Sequence, residues 1–280
     1  MEYILKLAVP FVVFPVIALG FMWAMKLLDD RRTPFSEDEL MLSGNNMAVS
    51  LRKSGIYLGL ALGLAGTFFG RSQGLYNDLV NFALAGVSLM VLLFVAFIVN
   101  DKVILRMVDG DKAVSEGNTA VGIVEFASYV ASGIIMHGVF SGDGGGILVA
   151  AGFFLLGQAA LVIAFYLLEA ITPRNICEEI EVKQNTAAGM DVAGMLIALA
   201  IILRASLAGP FAGWLPGLWG FGLYFVAGVL ALLLFRFLAG LIFLPRASYD
   251  YEIAVDQNLS VAALSSGVQI GLALIIAGTF

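Results

Sequence analysis

Five charged side chains interrupt long apolar stretches of the sequence, and such residues could conduct or bind a cation. Two are carboxylates, Glu125 and Asp191, and three are cations, Arg52, Lys53 and Arg236. An ionisable group inside a bilayer is costly unless it is paired or hydrated, so each is a functional candidate. Two structural alternatives stay open: Arg236 pairs with Asp191 or Glu125 and fixes helix register, and Arg52 and Lys53 extend to the membrane interface.

The sequence lacks the motifs of enzymes and of metal or nucleic acid binding. It has no P-loop, no dinucleotide-binding GxGxxG, no HExxH and no GxSxG. His137 and Cys177 are its single histidine and single cysteine, which leaves no set of these metal ligands at the usual spacing. A formal net charge of -6 argues against a nucleic acid partner. We therefore expect a protein that is not an enzyme and needs no metal or cofactor.

The elements that must position these charges are membrane-spanning helices. Of 280 residues, 60% are hydrophobic and 13% charged, which is more apolar surface than one soluble core can hide. A helix of about 20 apolar residues crosses a bilayer, and we predict eight such spans. They are residues 4–26, 54–70, 79–99, 119–140, 146–168, 186–207, 217–244 and 259–279.

Lysine and arginine are distributed unequally between the two sides of these predicted spans. Most of them follow the odd-numbered spans, whereas the opposite side carries only Lys6 and Arg71. Cytoplasmic loops carry the excess of positive charge in membrane proteins. We therefore expect a bacterial-type inner (plasma) membrane protein with its charged loops in the cytoplasm and both termini outside.

A motif of Asn followed by small residues recurs four times, each time where an acidic loop enters an even-numbered span. The Asn oxygen can accept a hydrogen bond from a free N–H group in the first turn, so each Asn predicts a helix start. Glycines at GxxxG spacing then allow helices to pack closely. The predicted helix-start residues are Asn46, Asn118, Asn185 and Asn258, and the predicted packing glycines are Gly55, Gly59, Gly63, Gly194, Gly267 and Gly271.

The acidic loop and the segment Asn185-Thr-Ala-Ala-Gly189 resemble the YjfL-type family of bacterial inner-membrane proteins, catalogued as domain of unknown function 350. The usual member of that family has four spans and two such motifs. The resemblance implies two family domains in tandem, residues 1–142 and 143–280, although the fourth copy, Asn258-Leu-Ser-Val-Ala262, departs most from the pattern. It implies no defined activity, only an association with stress and polyamine-related genes.

Together these patterns predict an all-α membrane protein of four two-helix hairpins in the same orientation, as in parallel-repeat transporters. Our first hypothesis is a transport or channel-like module for a small cation or polyamine, in which Glu125 and Asp191 replace water. The alternative is a non-transporting membrane anchor or scaffold. A wet central cavity at these carboxylates would favour transport, and a dry, glycine-packed centre with every charge paired would favour the scaffold.

The expected partners follow from the same patterns. The lipid bilayer is one, and a second copy of the chain is another, because tandem duplication suggests that single-domain relatives dimerise. A cytoplasmic stress-response or envelope-maintenance protein is a third candidate, bound at the acidic loops around residues 36–39 and 177–181.

Overall fold

Helices make up the described part of the chain. The computed structural model describes residues 2–69, 72–107, 109–142, 145–245 and 248–279, with side chains from residue 10 onward, and these ranges contain no strand. Arg71, one of the two cations on the predicted outer side of the membrane, lies outside the described residues. The predicted domain boundary after residue 142 adjoins residues 143–144, which are also outside them.

The long helices are separated by short ones that precede the repeated Asn residues. The short helices are α2 (Glu37–Leu42), α5 (Gly110–Ser115) and α10 (Tyr249–Ala254), and a π-helical turn, Glu178–Val182, takes their place before Asn185. The long helices are α1 (Glu2–Arg32), α3 (Met47–Ala65), α4 (Leu75–Val99), α6 (Thr119–Phe140), α7 (Gly146–Ile171), α8 (Thr186–Leu207), α9 (Trp214–Phe243) and α11 (Leu259–Ala277).

Seven of the described helices are long and apolar enough to cross a membrane by length and composition: α1 from Pro10, α4 with its extension to Ile104, α6, α7, α8, α9 and α11. Helix α3, the predicted second span, is not among them. It has 19 residues, and Arg52 and Lys53 lower its hydropathy. It also runs from Met47 to Ala65 rather than over the predicted residues 54–70, because Asn46 caps its first turn.

The same backbone device starts α3, α6, α8 and α11. The residue before each Asn has a left-handed conformation, with φ of 47° at Asn45, 88° at Gly117, 54° at Gln184 and 48° at Gln257. This ends the preceding short segment and turns the chain into the next helix. The Asn oxygen then accepts from the N–H group three residues on, at Val49, Val121, Ala188 and Val261.

Helices α3, α6, α8 and α11 pack side by side in that order, with α6 and α8 in the middle and largely buried. Helix α4 contacts both α3 and α6, α7 contacts both α6 and α8, and α9 contacts both α8 and α11. The described helices therefore include a row of four capped helices, with α4, α7 and α9 laid over the grooves between them and α1 packed on α4 and α3.

Small residues allow the row to pack backbone against backbone. A side-chain carbon added at Gly122 would lie 2.7 Å from the Cα of Ala48, and one added at Gly189 would lie 2.8 Å from the carbonyl oxygen of Ala120. These two contacts join matching positions, because each glycine lies four residues after its cap Asn and each alanine lies two residues after its own. The α3–α6 and α6–α8 interfaces therefore have the same register.

The predicted packing glycines divide according to their place in this row. Gly55 and Gly59 lie against the backbone of α6, Gly63 lies against the side chain of Leu89, and Gly194 lies against Ser266. By contrast, Gly267 and Gly271 have no heavy atom within 4 Å of a side-chain carbon built on them. The packing predicted for these two glycines is therefore not made within the described chain, because α11 is the last helix of the row.

Candidate functional site

The candidate charges lie at one depth in the row. Arg52, Lys53, Glu125 and Asp191 each follow the cap Asn of their helix by about two turns. Because each helix starts at its cap Asn, these side chains lie at a common level near the capped helix ends. The short helices and loops before the Asn residues lie at the same level and supply contacts to them.

Arg52 and Glu125 form a bidentate ion pair between α3 and α6. Both side chains are fully buried. The Arg52 Nε and Nη2 atoms lie 2.5 Å and 2.9 Å from the two Glu125 oxygens, and Nη1 lies 2.6 Å from Asp111 Oδ1. Asp111 also binds Arg32, which in turn contacts Asp29. A guanidinium fork matched to a carboxylate is the strongest geometry for such a pair, so the network joins α1, α3, α5 and α6.

Lys53 belongs to a separate cluster between α1, α2 and α3. Its Nζ atom lies 2.6 Å from Glu37 Oε2 and 3.1 Å from Asp30 Oδ1. Burial and the nearby Asp29 raise the pKa of Glu37 to about 7, although the Lys53 ammonium opposes this shift. Lys53, like Arg52, is therefore paired with carboxylates, here Glu37 on α2 and Asp30 on α1.

Asp191 is the centre of the third cluster, which lies between α8, α9 and α10. It is fully buried and accepts from Arg236 Nη1, from Arg174 Nη2 at 3.3 Å and from the Tyr249 hydroxyl at 2.6 Å. Arg236 also stacks over the Tyr249 ring at 4.4 Å and reaches Asp250 at 3.4 Å. Burial, followed by the neighbouring Asp191 charge, raises the pKa of Tyr249, so its hydroxyl remains a donor.

All five predicted charges are therefore in ion pairs, but not in one site. Of the two alternatives for Arg236, the structure places it on Asp191, while Glu125 binds Arg52. The two carboxylates lie on neighbouring helices in separate networks. Sequence reasoning did not identify the loop and helix-end partners. These are Asp29, Asp30, Arg32, Glu37, Asp111, Arg174 and Tyr249. The acidic composition of the loops was the available signal.

Two cavities lie near or between the helices, and neither is lined by Glu125 or Asp191. The larger one, of about 1290 Å³, lies at the opposite helix ends and is lined by residues such as Phe14, Asp78 and Ser206. The smaller one, of about 20 Å³, lies beside Arg236 and Gln269, which is room for a single water. Both carboxylates are fully buried and each is bound to an arginine, and neither lines these two cavities.

The acidic stretch at residues 177–181 is mostly turned inward. Glu179 binds Lys183 and Asn185, and Glu181 accepts from the backbone N–H group of Met107 at 2.8 Å. Cys177 is buried, and burial raises the pKa of its thiol to about 12. This stretch therefore connects helices within the chain and leaves few free carboxylates.

No group of three or more His, Cys, Asp or Glu side chains in the described ranges is arranged to hold a metal ion. The described side chains at the capped ends of the row form ion pairs and hydrogen bonds.

Comparisons with known proteins agree with the repeated organisation. The family described as Domain of Unknown Function (DUF350) matches residues 3–140 and again residues 144–280. A UPF0719 transmembrane protein of Aquifex aeolicus (strain VF5) is 25% identical over 242 residues, which cover 85% of this chain and 87% of the relative. No solved structure matches the chain. With two successive matches that span most of its length, this multi-pass membrane protein belongs to the DUF350 family.

Proposed function

We propose that this protein is a non-transporting membrane anchor or scaffold of a bacterial-type inner (plasma) membrane. The observation that carries the proposal is the pairing of all five candidate charges in networks of protein groups. A cation pathway needs a hydrated route that the ion can enter and leave. The carboxylates that would form that route, Glu125 and Asp191, are instead each bound to an arginine.

We further propose that the chain crosses the bilayer eight times, as four hairpins of one orientation with both termini outside. The matched contacts of Gly122 with Ala48 and of Gly189 with Ala120 support a common direction for the capped helices. The low hydropathy of α3 does not prevent a crossing, because both of its cations are buried and paired with carboxylates.

The cytoplasmic side of this scaffold would consist of the loops before the repeated Asn residues. Part of their acidic charge is used within the chain, so a cytoplasmic partner would meet the carboxylates that stay exposed. These are the exposed side chains of Glu39 and Glu116 and the half-exposed side chain of Glu178. A basic surface on that partner is the complementary chemistry.

Flux and stability measured together test the proposal. The purified chain is reconstituted into sealed vesicles as wild type and as Glu125→Gln with Asp191→Asn. We expect no flux of K⁺, protons or spermidine above protein-free vesicles for either protein. The variant should be much less stable to heat, because each broken buried pair costs about 3–5 kcal/mol.

The matched control changes two exposed carboxylates, Glu116→Gln with Glu178→Gln, whose ion pairs with lysine are open to solvent. It should have the stability of the wild type, since exposed pairs contribute little. A flux above the vesicle background that the buried pair of substitutions abolishes, and the exposed pair preserves, would establish transport and refute the scaffold.

A further inference from the structure

The interface between successive capped helices has two faces that recur along the row. We call the face that a helix turns to the next helix its front face, and the face it turns to the previous helix its back face. On α3 the front face includes Ala48, Gly55 and Gly59, and it continues to Gly66 in the 3-10 turn Gly66–Phe68 that follows. The back face of α6 meets it with Gly122, Phe126, Gly133 and His137. On α8 the front face includes Gly194, which contacts Ser266 on the back face of α11.

The row leaves one front face and one back face without a neighbour. The front face of α11 carries glycines at the same three distances from the cap Asn as that of α3, with Ser260 at the position of Ala48, and it is open. A side-chain carbon built on Gly267 or Gly271 would meet no neighbouring heavy atom within 4 Å, and Leu264 and Leu274 are 43% and 58% exposed. The back face of α3 is open as well, since Ser54 is exposed and Leu58 is 42% exposed.

These two open faces match each other in chemistry. Ser54 lies at the repeat position of Ser266, and each donates its hydroxyl to the backbone oxygen four residues earlier, at 2.7 Å and 2.8 Å. Ser266 thereby fits against Gly194, and Gly267 lies at the position of Gly194. Both open faces are also free of charged residues. The open face of α11 consists of Ser260, Leu264, Gly267, Gly271, Leu274 and Gly278, and the open face of α3 consists of Ser50, Ser54, Leu58 and Ala61.

The cap residues provide an independent observation. Three of the four Asn amide groups reach across to backbone oxygens of the next repeat's loop, where Asn46 meets Val114, Asn118 meets Ile180 and Asn185 meets Ile253. No further repeat follows Asn258 within residues 1–280. Within the described residues its amide meets only its own loop, at Glu252 Oε2, 2.8 Å away. The Asn185 amide donates both to Glu179 and to the backbone oxygen of Ile253. The Asn258 amide can therefore donate one more hydrogen bond in addition to the one it gives to Glu252.

We propose that the chain assembles head to tail with further copies of itself, with the front face of α11 packed on the back face of α3 in the next copy. The interface is the one already made three times within the chain. The Asn258 amide would then meet the backbone at Met41 and Leu42 of that copy, the positions equivalent to Ile253 and its successor. Because the two contacting faces differ, the interface is heterologous, and repeated use of it builds rings or open rows of copies instead of two-fold symmetric dimers.

Exposed leucines do not by themselves carry this inference, since lipid covers apolar side chains in a membrane. It rests on the retained register of the glycines and serines and on the Asn258 amide, which bonds to its own loop but, unlike the other three, to no backbone oxygen of a following loop in the described residues. It is also independent of whether the protein transports an ion.

Engineered cysteines test the arrangement in native membranes. Ser54→Cys with Gly267→Cys places thiols at the positions where Ser266 meets Gly194, and mild oxidation should produce a ladder of disulfide-linked multimers on non-reducing gels. The wild type serves as the blank, because its single thiol, Cys177, is buried with a pKa of about 12. Ser54→Cys with Leu234→Cys is the matched control, since Leu234 is 53% exposed on α9 and lies within one turn of Arg236, at the level of the buried charges.

Each outcome decides the question. A ladder from the Ser54/Gly267 pair that exceeds the control supports the head-to-tail row. Equal cross-linking in pair and control reports random collision, and a dimer from Gly267→Cys alone reports two α11 faces in contact; either result overturns the inference. As a second measurement, Gly267→Leu should convert multimers to monomers in detergent while the melting temperature of the monomer stays unchanged, whereas Gly222→Leu should leave the multimers intact.

Discussion

Buried charges in this protein are matched with counter-charges from other helices or from loops. Spacing in the sequence gives the depth of Arg52, Glu125 and Asp191 along their helices, and that much was predictable. It does not say which helices adjoin, so the Arg52–Glu125 pair, which joins residues far apart in the chain, could not be read from the pattern. Partners on short loop helices, such as Asp111, were still less accessible.

Glu37 should make the stability of the protein depend on pH. Its pKa rises from 4.5 to about 7 in the folded chain, chiefly through burial. The folded state therefore binds the proton more tightly than the unfolded state, and the free energy of unfolding falls as pH rises from 4.5 to about 7. We expect the melting temperature of the wild type, relative to Glu37→Gln, to decrease over this range in detergent.

The control for this titration is Glu116→Gln, which removes an exposed carboxylate from a neighbouring loop. Its melting curve should follow that of the wild type at every pH. If the melting temperature of Glu37→Gln instead changes with pH in parallel with that of the wild type, the pKa of Glu37 is the same in the folded and unfolded states and the prediction is wrong.

Helix α3 illustrates what the sequence can and cannot predict about an element. Asn46 correctly marked a place where a helix starts, but the apolar run alone moved the predicted span to residues 54–70. Arg52 and Lys53 caused that shift, because a hydropathy window cannot recognise that both will be paired inside the bundle. The cap residue predicts the start of α3 better than hydropathy does, because it marks one hydrogen bond at one position, whereas mean hydropathy is averaged over a window of residues.

The α3–α6 interface should be intolerant of larger side chains. A side-chain carbon at Gly133 would overlap the backbone of Gly59, so Gly133→Leu must push the two helices apart. We expect a loss of about 3 kcal/mol in unfolding free energy, the upper end of overpacking costs. Thermal or denaturant unfolding in detergent measures it. Gly222→Leu, which enters open space, should be almost neutral, and equal losses in both variants would refute the role of close packing.

The two family domains form one continuous body in this molecule. Helix α6 of the first packs along α8 of the second with the register that joins α3 to α6 within the first, as the paired contacts of Gly122 and Gly189 illustrate. The fourfold repeat was evident in the sequence. The order of the helices in the row was not, because four nearly equivalent faces permit several arrangements.

Labelling of single cysteines tests the number of crossings. Gln73 follows α3 and Glu39 precedes it, and both are exposed. With eight crossings, a membrane-impermeant maleimide should modify Gln73→Cys in intact cells and Glu39→Cys only after permeabilisation. Wild type, with its buried Cys177, is the unlabelled control. Labelling of both sites from one side would mean that α3 does not cross and that the count is seven.

Nearly interchangeable helices pose a difficulty while the chain enters the membrane, since an early helix can dock on the wrong neighbour. The residues about two turns beyond each cap remove that ambiguity, because α3 presents Arg52, α6 presents Glu125, α8 presents Asp191 and α11 presents Ser265 at this level. A misplaced α8 would leave Asp191 in lipid without Arg236. We therefore expect the divergent charges to disfavour wrong helix pairs during membrane insertion, since a wrong pair leaves a charge without its partner.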